Sequence, residues 1–310
     1  MIEPSALIRW AEYNRRKWKC DAELLRFQPP KSEDLYCDCM LFSKHGRFYF
    51  PPQNPYHPVL FHSTPTSKLY RTNKQWHEVA ELMIDHLTKL RGHVSITLPP
   101  DITDIRPFTW RGFLAEIRYT YILSLPYSIN LADKAIRNKI KKAHANGYYS
   151  QPTDNMEHVY QCLIETEKRK GFNHQISVAD LELAREILGE DRFRCYICYS
   201  ESGEPVSANV TLLLDAERAI GWVAGTKTAH LSNGVVQQLQ LLELEDLASQ
   251  GIKSFDFCGA NIASVSESKA GWGGALKPYY VVRKPVFKDI LRSGRDWLKF
   301  GQRPSGSSDP

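Results

Sequence analysis

The sequence predicts an α/β (α+β) protein in two domains, each a mixed, mostly antiparallel sheet flanked by helices. Three observations lead there. Segments with helical spacing of apolar residues alternate with short runs rich in Val, Ile, Tyr and Phe. The order helix, strand hairpin, helix, strand fills residues 1–148 and begins again in 149–290, although no sequence repeat is visible. Finally, the run Ser254–Phe257 reaches Gly259 and opens into a polar, glycine-bearing loop, the kind of strand end where α/β proteins place ligands. A basic tail, residues 291–310, closes in a Gly/Ser/Pro stretch, and that end is expected to be disordered.

In chain order, Ser5–Leu25 carries Leu7, Trp10, Ala11, Tyr13 and Trp18 at roughly helical spacing. Leu35–Ser43 and Arg47–Phe50 read as two strands around the turn Lys44-His45-Gly46. Pro51–Thr66 contains five prolines and is expected to be irregular. Asn73 can cap a helix to Leu90, with Trp76, Val79, Ala80, Met83, Ile84 and Leu87 on one face. Val94–Leu98 and Leu114–Leu125 follow as strands, then a helix Asn130–Asn146 closed by Gly147, its cations gathered late in the helix. In the second half, Asn155–Lys170 and Ser177–Leu188 are expected helices. Phe193–Tyr199, Val206–Leu214 and Ala219–Ala224 are expected strands, with a turn at Glu201–Glu204. A Leu-rich helix Val235–Ser249, closed by Gly251, precedes the strand Ser254–Phe257.

The chain has 310 residues, 42% hydrophobic and 24% charged, as folded proteins of ordinary composition do. No apolar run is long enough to span a bilayer and the first residues lack an apolar leader core, so a cytoplasmic location is expected. The net charge of +5 is mild, suiting an anionic substrate or a modest nucleic-acid contact without requiring either. Seven cysteines, an odd number, argue against a disulfide framework. Cys37/Cys39 and Cys195/Cys198 lie in strand-like runs without the glycine knuckle of a zinc site, so no metal site is expected and the thiols read as small buried hydrophobes.

Lys269 stands just before Gly271-Trp272-Gly273-Gly274. Its ammonium either meets a phosphate or carboxylate or is solvated in a turn. Asp256 either takes or orients the proton of an attacking group or hydrogen-bonds the backbone of its own loop. Tyr119 and Tyr121 share one face of their strand and either line a cleft between the domains or pack in the core, as does Trp110.

Residues 193–283, in the order hairpin, strand, helix, strand, Gly-rich loop, resemble the GNAT acyltransferase fold. The chain more specifically resembles the Fem-type peptidoglycan-bridge aminoacyltransferases and their acetyltransferase-like relatives, which often carry two such domains. The matching features are Trp110 with the Tyr119–Leu123 strand, the basic segment Arg137–Gly147, Lys168–Phe172, the Asn233–Gly251 helix, Asp256-Phe257-x-Gly259 and Lys269-x-x-Trp272-Gly273-Gly274. They cover about two-thirds of the chain in the expected order, and none is specific alone.

The resemblance implies transfer of an acyl or aminoacyl group from an acyl-CoA or aminoacyl-tRNA onto an amine acceptor, such as a cell-wall or envelope precursor, with no tightly bound cofactor. It places Lys269 and Asp256 as catalytic residues, and Trp110, Tyr119, Tyr121, Arg137, Lys141 and Trp272 toward the acceptor. The donor would rest on Asn233, Gly234 and Val235 at a helix start. That segment, His230–Val236, has one glycine and departs from the Q/R-x-x-G-x-G/A loop of acetyl-CoA enzymes, which favours tRNA or an unusual acyl donor. Two other readings compete: an RNA-binding module using Arg137, Lys141, Lys142 and Lys168–Lys170, and a degenerate GNAT-like scaffold. The basic amphipathic segment Phe287–Phe300 either docks on the second domain or rests on anionic lipid.

Overall fold

The computed structural model describes residues 4–30, 32–286 and Asp289. The helix α1 (Pro4–Trp18) is followed by β1 (Asp21–Phe27), β2 (Tyr36–Lys44), β3 (Arg47–Phe48) and β4 (Val59–His62). Then come α2 (Leu69–Lys89), β5 (Ser95–Thr97), α3 (Arg106–Trp110), β6 (Leu114–Ser124), α4 (Lys134–Ala145) and β7 (Tyr149–Pro152). The remainder is α5 (Met156–Lys170), α6 (Val178–Leu188), β8 (Phe193–Tyr199), β9 (Pro205–Leu213), β10 (Arg218–Thr226), α7 (Val235–Ser249), β11 (Ser254–Asp256), α8 (Ala263–Ala270) and β12 (Ala275–Arg283).

The strands form two sheets. A small one has β1 along one side of β2, with β3 and β4 pairing opposite ends of its other side. The large one runs β5-β12-β6-β11-β10-β9-β8-β7 and is antiparallel except where β10 meets β11. Mostly antiparallel sheets flanked by helices are what the sequence predicts. The expected division near residue 148 falls between α4 and β7, and the large sheet takes strands from both sides of it.

Alternation along the central strands feeds two cores. Cys195 of β8, Ala208, Val210 and Leu212 of β9, and Ile220 of β10 pack with Met156, Val159 and Leu163 of α5 and with Leu181 of α6. Tyr196, Val206, Leu213 and Ala219 point the other way, onto Ile136 and Ile140 of α4 and Leu239, Leu244 and Leu247 of α7. The large sheet is thereby covered by helices on both faces. In the small sheet, Cys37, Cys39 and Leu41 face α2, while Met40 and Phe42 face α1. The two cysteine pairs thus lie in separate sheets, as buried free thiols.

Several elements differ from expectation for identifiable reasons. The first helix stops at Trp18, because Asp21–Phe27 pairs residue for residue with Phe27↔Cys37 through Asp21↔Ser43 and becomes β1. Within the proline-rich stretch, Val59–His62 adds to β2. The α2 apolar face is as expected, but the helix begins at Leu69, and Asn73 is not its cap. Asp133, accepting from the Ala135 N–H, caps α4 after a short 3₁₀ turn at Ile129–Leu131. The strand β12, second from the edge of the large sheet, was hidden by Pro278. There β6 pairs along all of Ala275–Arg283, whereas β5 reaches only Val281–Arg283, so the missing proline N–H breaks no ladder bond on that side. The segment Phe287–Phe300 lies outside the described residues except for Asp289. Among the described residues no helix is long and apolar enough to cross a membrane.

Candidate functional site

The chemistry-bearing feature is the junction of β10 and β11. They pair only at Arg218↔Ser254, Ala219↔Phe255 and Ile220↔Asp256. Beyond that, β10 continues to Thr226 through a bulge at Gly221–Val223, while the other chain turns away after Asp256. The two strands therefore part beyond Ile220 and Asp256. Between them lies a cavity of about 180 Å³ walled by Asn209, Gly221, Val223, Gln240, Glu243, Cys258 and Lys269 among others.

The turn away from β10 is built by Asp256. Its Oδ1 accepts from Thr120 Oγ1 (2.5 Å) and from the Cys258 N–H (2.8 Å), and its Oδ2 from the Tyr56 hydroxyl (2.9 Å). Cys258 and Gly259 both adopt positive φ, a tight turn that the Asp256 side chain stabilises by capping it. Burial raises the Asp256 pKa, opposed by its bonds from Thr120, the Cys258 N–H and Tyr56. Of the two roles weighed for this residue, the geometry displays the backbone-capping one. Its carboxylate is not among the groups lining the cavity.

Lys269 sits in the last turn of α8 rather than in a loop. Its ammonium donates to the carbonyls of Phe257 (2.7 Å), Cys258 (3.1 Å) and Gly259 (2.6 Å). An ammonium has three N–H groups, and all three are used. The side chain therefore turns inward and pins the loop after β11, while its flank lines the cavity. Burial lowers its pKa, countered by the nearby Cys258 and Asp256.

Glu243 was not singled out from the sequence. It is 1% exposed, on the α7 face that also carries Val235, Leu239 and Leu247 at four-residue intervals. Its carboxylate accepts from Asn209 Nδ2 (2.6 Å), Gln240 Nε2 (2.9 Å) and the Thr211 hydroxyl. Desolvation pushes its pKa up to about 7, against the pull of those three donors. An acid interrupting an otherwise apolar stripe of a Leu-rich helix is the one local signal the sequence carries for it.

The remaining predicted residues are dispersed. Trp272 is 3% exposed and packs on Tyr127 and Phe257, so it belongs to the core rather than to a cleft wall. Gly273, at positive φ, lies where a Cβ would come within 2.6 Å of the Leu131 carbonyl, so this glycine turn serves chain packing. Trp110 is exposed on α3 beside His77 and Arg106, away from the parted strands. Tyr121 is half-buried against the α7-side core. Tyr119 is exposed, and its backbone bonds Asn261 and Ala260 of the loop after β11. Arg137 donates to the Ala132 carbonyl (2.6 Å), and Lys141 is exposed on α4.

At the start of α7, Gly234 takes φ +81°, and a Cβ there would meet the Lys139 carbonyl at 2.0 Å. This glycine is required by the close approach of α4. Asn233 donates to the Tyr148 hydroxyl (2.9 Å), and Val235 is buried. The structure thus uses these three residues to seat α7 on α4 and Tyr148.

A second cavity, of about 120 Å³, lies on the α1 side. It is lined by Leu7, Trp10, Tyr56, His57, Leu212 and Ile220 among others, with Arg192, Arg218 and Asp101 also in its wall. Among the described residues no group of His, Cys, Asp and Glu is placed to hold a metal.

Comparison with known proteins agrees with this architecture. Residues 132–264 match the family described as acetyltransferase (GNAT) domain, a span from the α4 cap through β10, α7 and β11 into α8. No curated protein matches the chain. Similar solved structures include FemX (TM-score 0.62, 11% identity, 92% of each chain). The C-terminal domain of a putative lysylphosphatidylglycerol synthetase from Agrobacterium fabrum is also similar (0.59, 9%, 95% of each chain). So is L-PGS from Bacillus licheniformis (0.54, 12%, 94% of this chain and 96% of that one). At such identities these likenesses establish the fold, and the family match supports acyl transfer in general. Residues 132–264 therefore form a GNAT acetyltransferase-family domain, set in a fold that the chain shares with FemX.

Proposed function

We propose that this protein transfers an acyl group from an activated donor, an acyl-CoA or an aminoacyl-tRNA, onto an amine acceptor. The observation that carries this reading is the parting of β10 from β11 beside a cavity that holds a carboxylate. Acyl transfer needs little side-chain machinery. The carbonyl must be held beside fixed dipoles that meet its developing charge, and the amine must arrive within attacking distance. Among the described residues, the edge of β10 facing β11 has no strand partner past Ile220, which leaves peptide groups before Thr226, whose own N–H bonds Thr166, for an acyl carbonyl.

In this reading Asp256 and Lys269 act on substrate through the loop they fix, residues 257–259. Their positions support a preorganising role better than a direct one. The single-glycine segment before α7, packed on Lys139, accords with a donor other than a conventional CoA. A cell-wall or envelope amine stays the acceptor class suggested by the Fem resemblance. The exposed basic face of α4, with Lys141 and Lys142, would serve a tRNA donor.

The test is turnover. The protein is offered acetyl-CoA, longer acyl-CoAs and, separately, charged tRNA, each with a panel of primary amines, and products are read by mass spectrometry. An amide product with either donor class sustains the proposal. No product with any donor, from protein shown to be folded, would contradict it and favour the scaffold reading. Tight tRNA binding with a steep salt dependence and no product would favour the RNA-binding module.

A further inference from the structure

We propose that Glu243, on α7, takes the proton from the attacking amine, in place of the carboxylate at the end of β11. The inference rests on the acyl-transfer reading and goes beyond it by assigning the proton's path.

Four observations carry it. First, Glu243 walls the cavity between the parted strands, whereas Asp256 does not. Second, its carboxylate is held by three neutral donors, Thr211 and Asn209 of β9 and Gln240 of its own helix. Among the described residues it forms no ion pair, so nothing there neutralises it. A carboxylate offers about four acceptor positions. Three are filled, and one remains for an N–H in the cavity. Third, the site is one where an acid is unfavourable. The same stripe of α7 carries Val235, Leu239 and Leu247, and a fourth apolar side chain would pack without stranding a charge.

Fourth, the surroundings bring the group into a useful range. Burial raises the pKa to about 7, and a proton acceptor works best when its pKa lies near the working pH. The other titratable groups on its side of the sheet are Asp246 one turn on, which raises it further, and on β8 Tyr196 with Arg194 beside it. Lys269 and Cys258 share its cavity.

The step balances as follows. The neutral amine nitrogen forms a bond to the acyl carbonyl carbon, and its N–H proton passes to the Glu243 carboxylate. The tetrahedral adduct then collapses, and the bond from carbonyl carbon to the carrier's sulfur or oxygen breaks. That leaving atom takes the proton from Glu243, yielding amide and free carrier with the carboxylate restored.

The experiment compares wild type, Glu243→Gln and Asn209→Ala across pH 5–9 with the donor and amine that wild type turns over. Wild type is expected to lose kcat/KM on acidification with a midpoint near 7. Glu243→Gln should fall by at least about a hundredfold and lose that acidic limb. Asn209→Ala removes a donor that favours the charged carboxylate, so its limb should move to higher pH, a shift that a merely structural role would not produce. Carboxyl infrared difference titration gives a readout free of turnover. A band titrating near pH 7 in wild type should vanish in Glu243→Gln. Absence of wild-type turnover would overturn the acyl-transfer reading itself. Wild-type turnover with Glu243→Gln within about threefold and the same limb would overturn this inference alone. Should Glu243→Gln not fold, an unshifted limb in Asn209→Ala overturns it.

Discussion

The two cavities beside β10 contrast in what surrounds them. The one on the α1 side is walled mainly by apolar groups such as Leu7, Leu212 and Ile220, and its cations are paired, Arg218 with Asp215 and Asp101 and Arg192 with Asp191. The one on the α7 side is bordered by backbone without a strand partner, a buried carboxylate and an inward-turned ammonium. Apolar concavity by itself identifies space, and space of that kind is filled or left dry without consequence for chemistry. A buried acid without a cation is different, because the fold bears an electrostatic penalty to keep it there. On the acyl-transfer proposal, that difference favours the α7 side as the reacting one.

That comparison can be broken most directly at the lysine. Lys269→Met keeps an unbranched side chain one atom shorter and removes the three bonds that hold the 257–259 carbonyls. We expect a stability loss of about 3 kcal/mol by urea unfolding. We also expect kcat/KM to drop by about a hundredfold, since a misplaced loop spoils attack geometry. Wild-type turnover in this variant would remove Lys269 from the site altogether.

A second, comparable effect concerns pH. The folded protein keeps the Glu243 proton up to about pH 7, whereas the unfolded chain releases it at an ordinary carboxylate value. In that window the unfolded state binds fewer protons, so stability should fall as pH rises toward 7, by about 3 kcal/mol in all. Denaturation of Glu243→Gln at the same pH values should lack this decline. Equal slopes for the two proteins would mean that the carboxyl is not held protonated.

The apolar cavity supplies the control. Leu7→Ala should lose about 2–3 kcal/mol of stability through an enlarged void, with kcat unchanged. A large fall in kcat for this variant would shift attention to the α1 side. The smallest effect is expected at Tyr56→Phe. Tyr56 joins the two regions, lining the apolar cavity while its hydroxyl donates to Asp256. Losing that bond should cost about 1 kcal/mol and change turnover only a few-fold, measured by thermal denaturation and initial rates.

Much of this molecule can be read from its residues, and what escapes does so for physical reasons. The α2 face from Trp76 to Leu87 is set by local spacing, and it folds as spaced. The strands β10 and β11 are legible as apolar runs on either side of a long helix. The strand β1 was read as helix because DAELLRF favours either state locally, and only pairing with β2 decides. The strand β12 was concealed by a proline whose tolerance depends on where β5 ends. Lys269 stands out by its place before a glycine turn, yet whether its ammonium faces solvent or carbonyls depends on a turn at Cys258–Gly259 that spacing does not reveal. Glu243 was missed because its significance is relational: Asn209 and Thr211 lie more than thirty positions away and meet it only after β9 is in place.

The most direct measurement of the central claim is a crystal structure with an inert thioether or amide analogue that joins an acyl donor to its amine. The account predicts that the analogue's carbonyl oxygen lies against β10 between Gly221 and Thr226, with its nitrogen in hydrogen-bond reach of Glu243. An analogue bound instead in the cavity beneath α1, or seated with Glu243 shielded from it, would contradict the account.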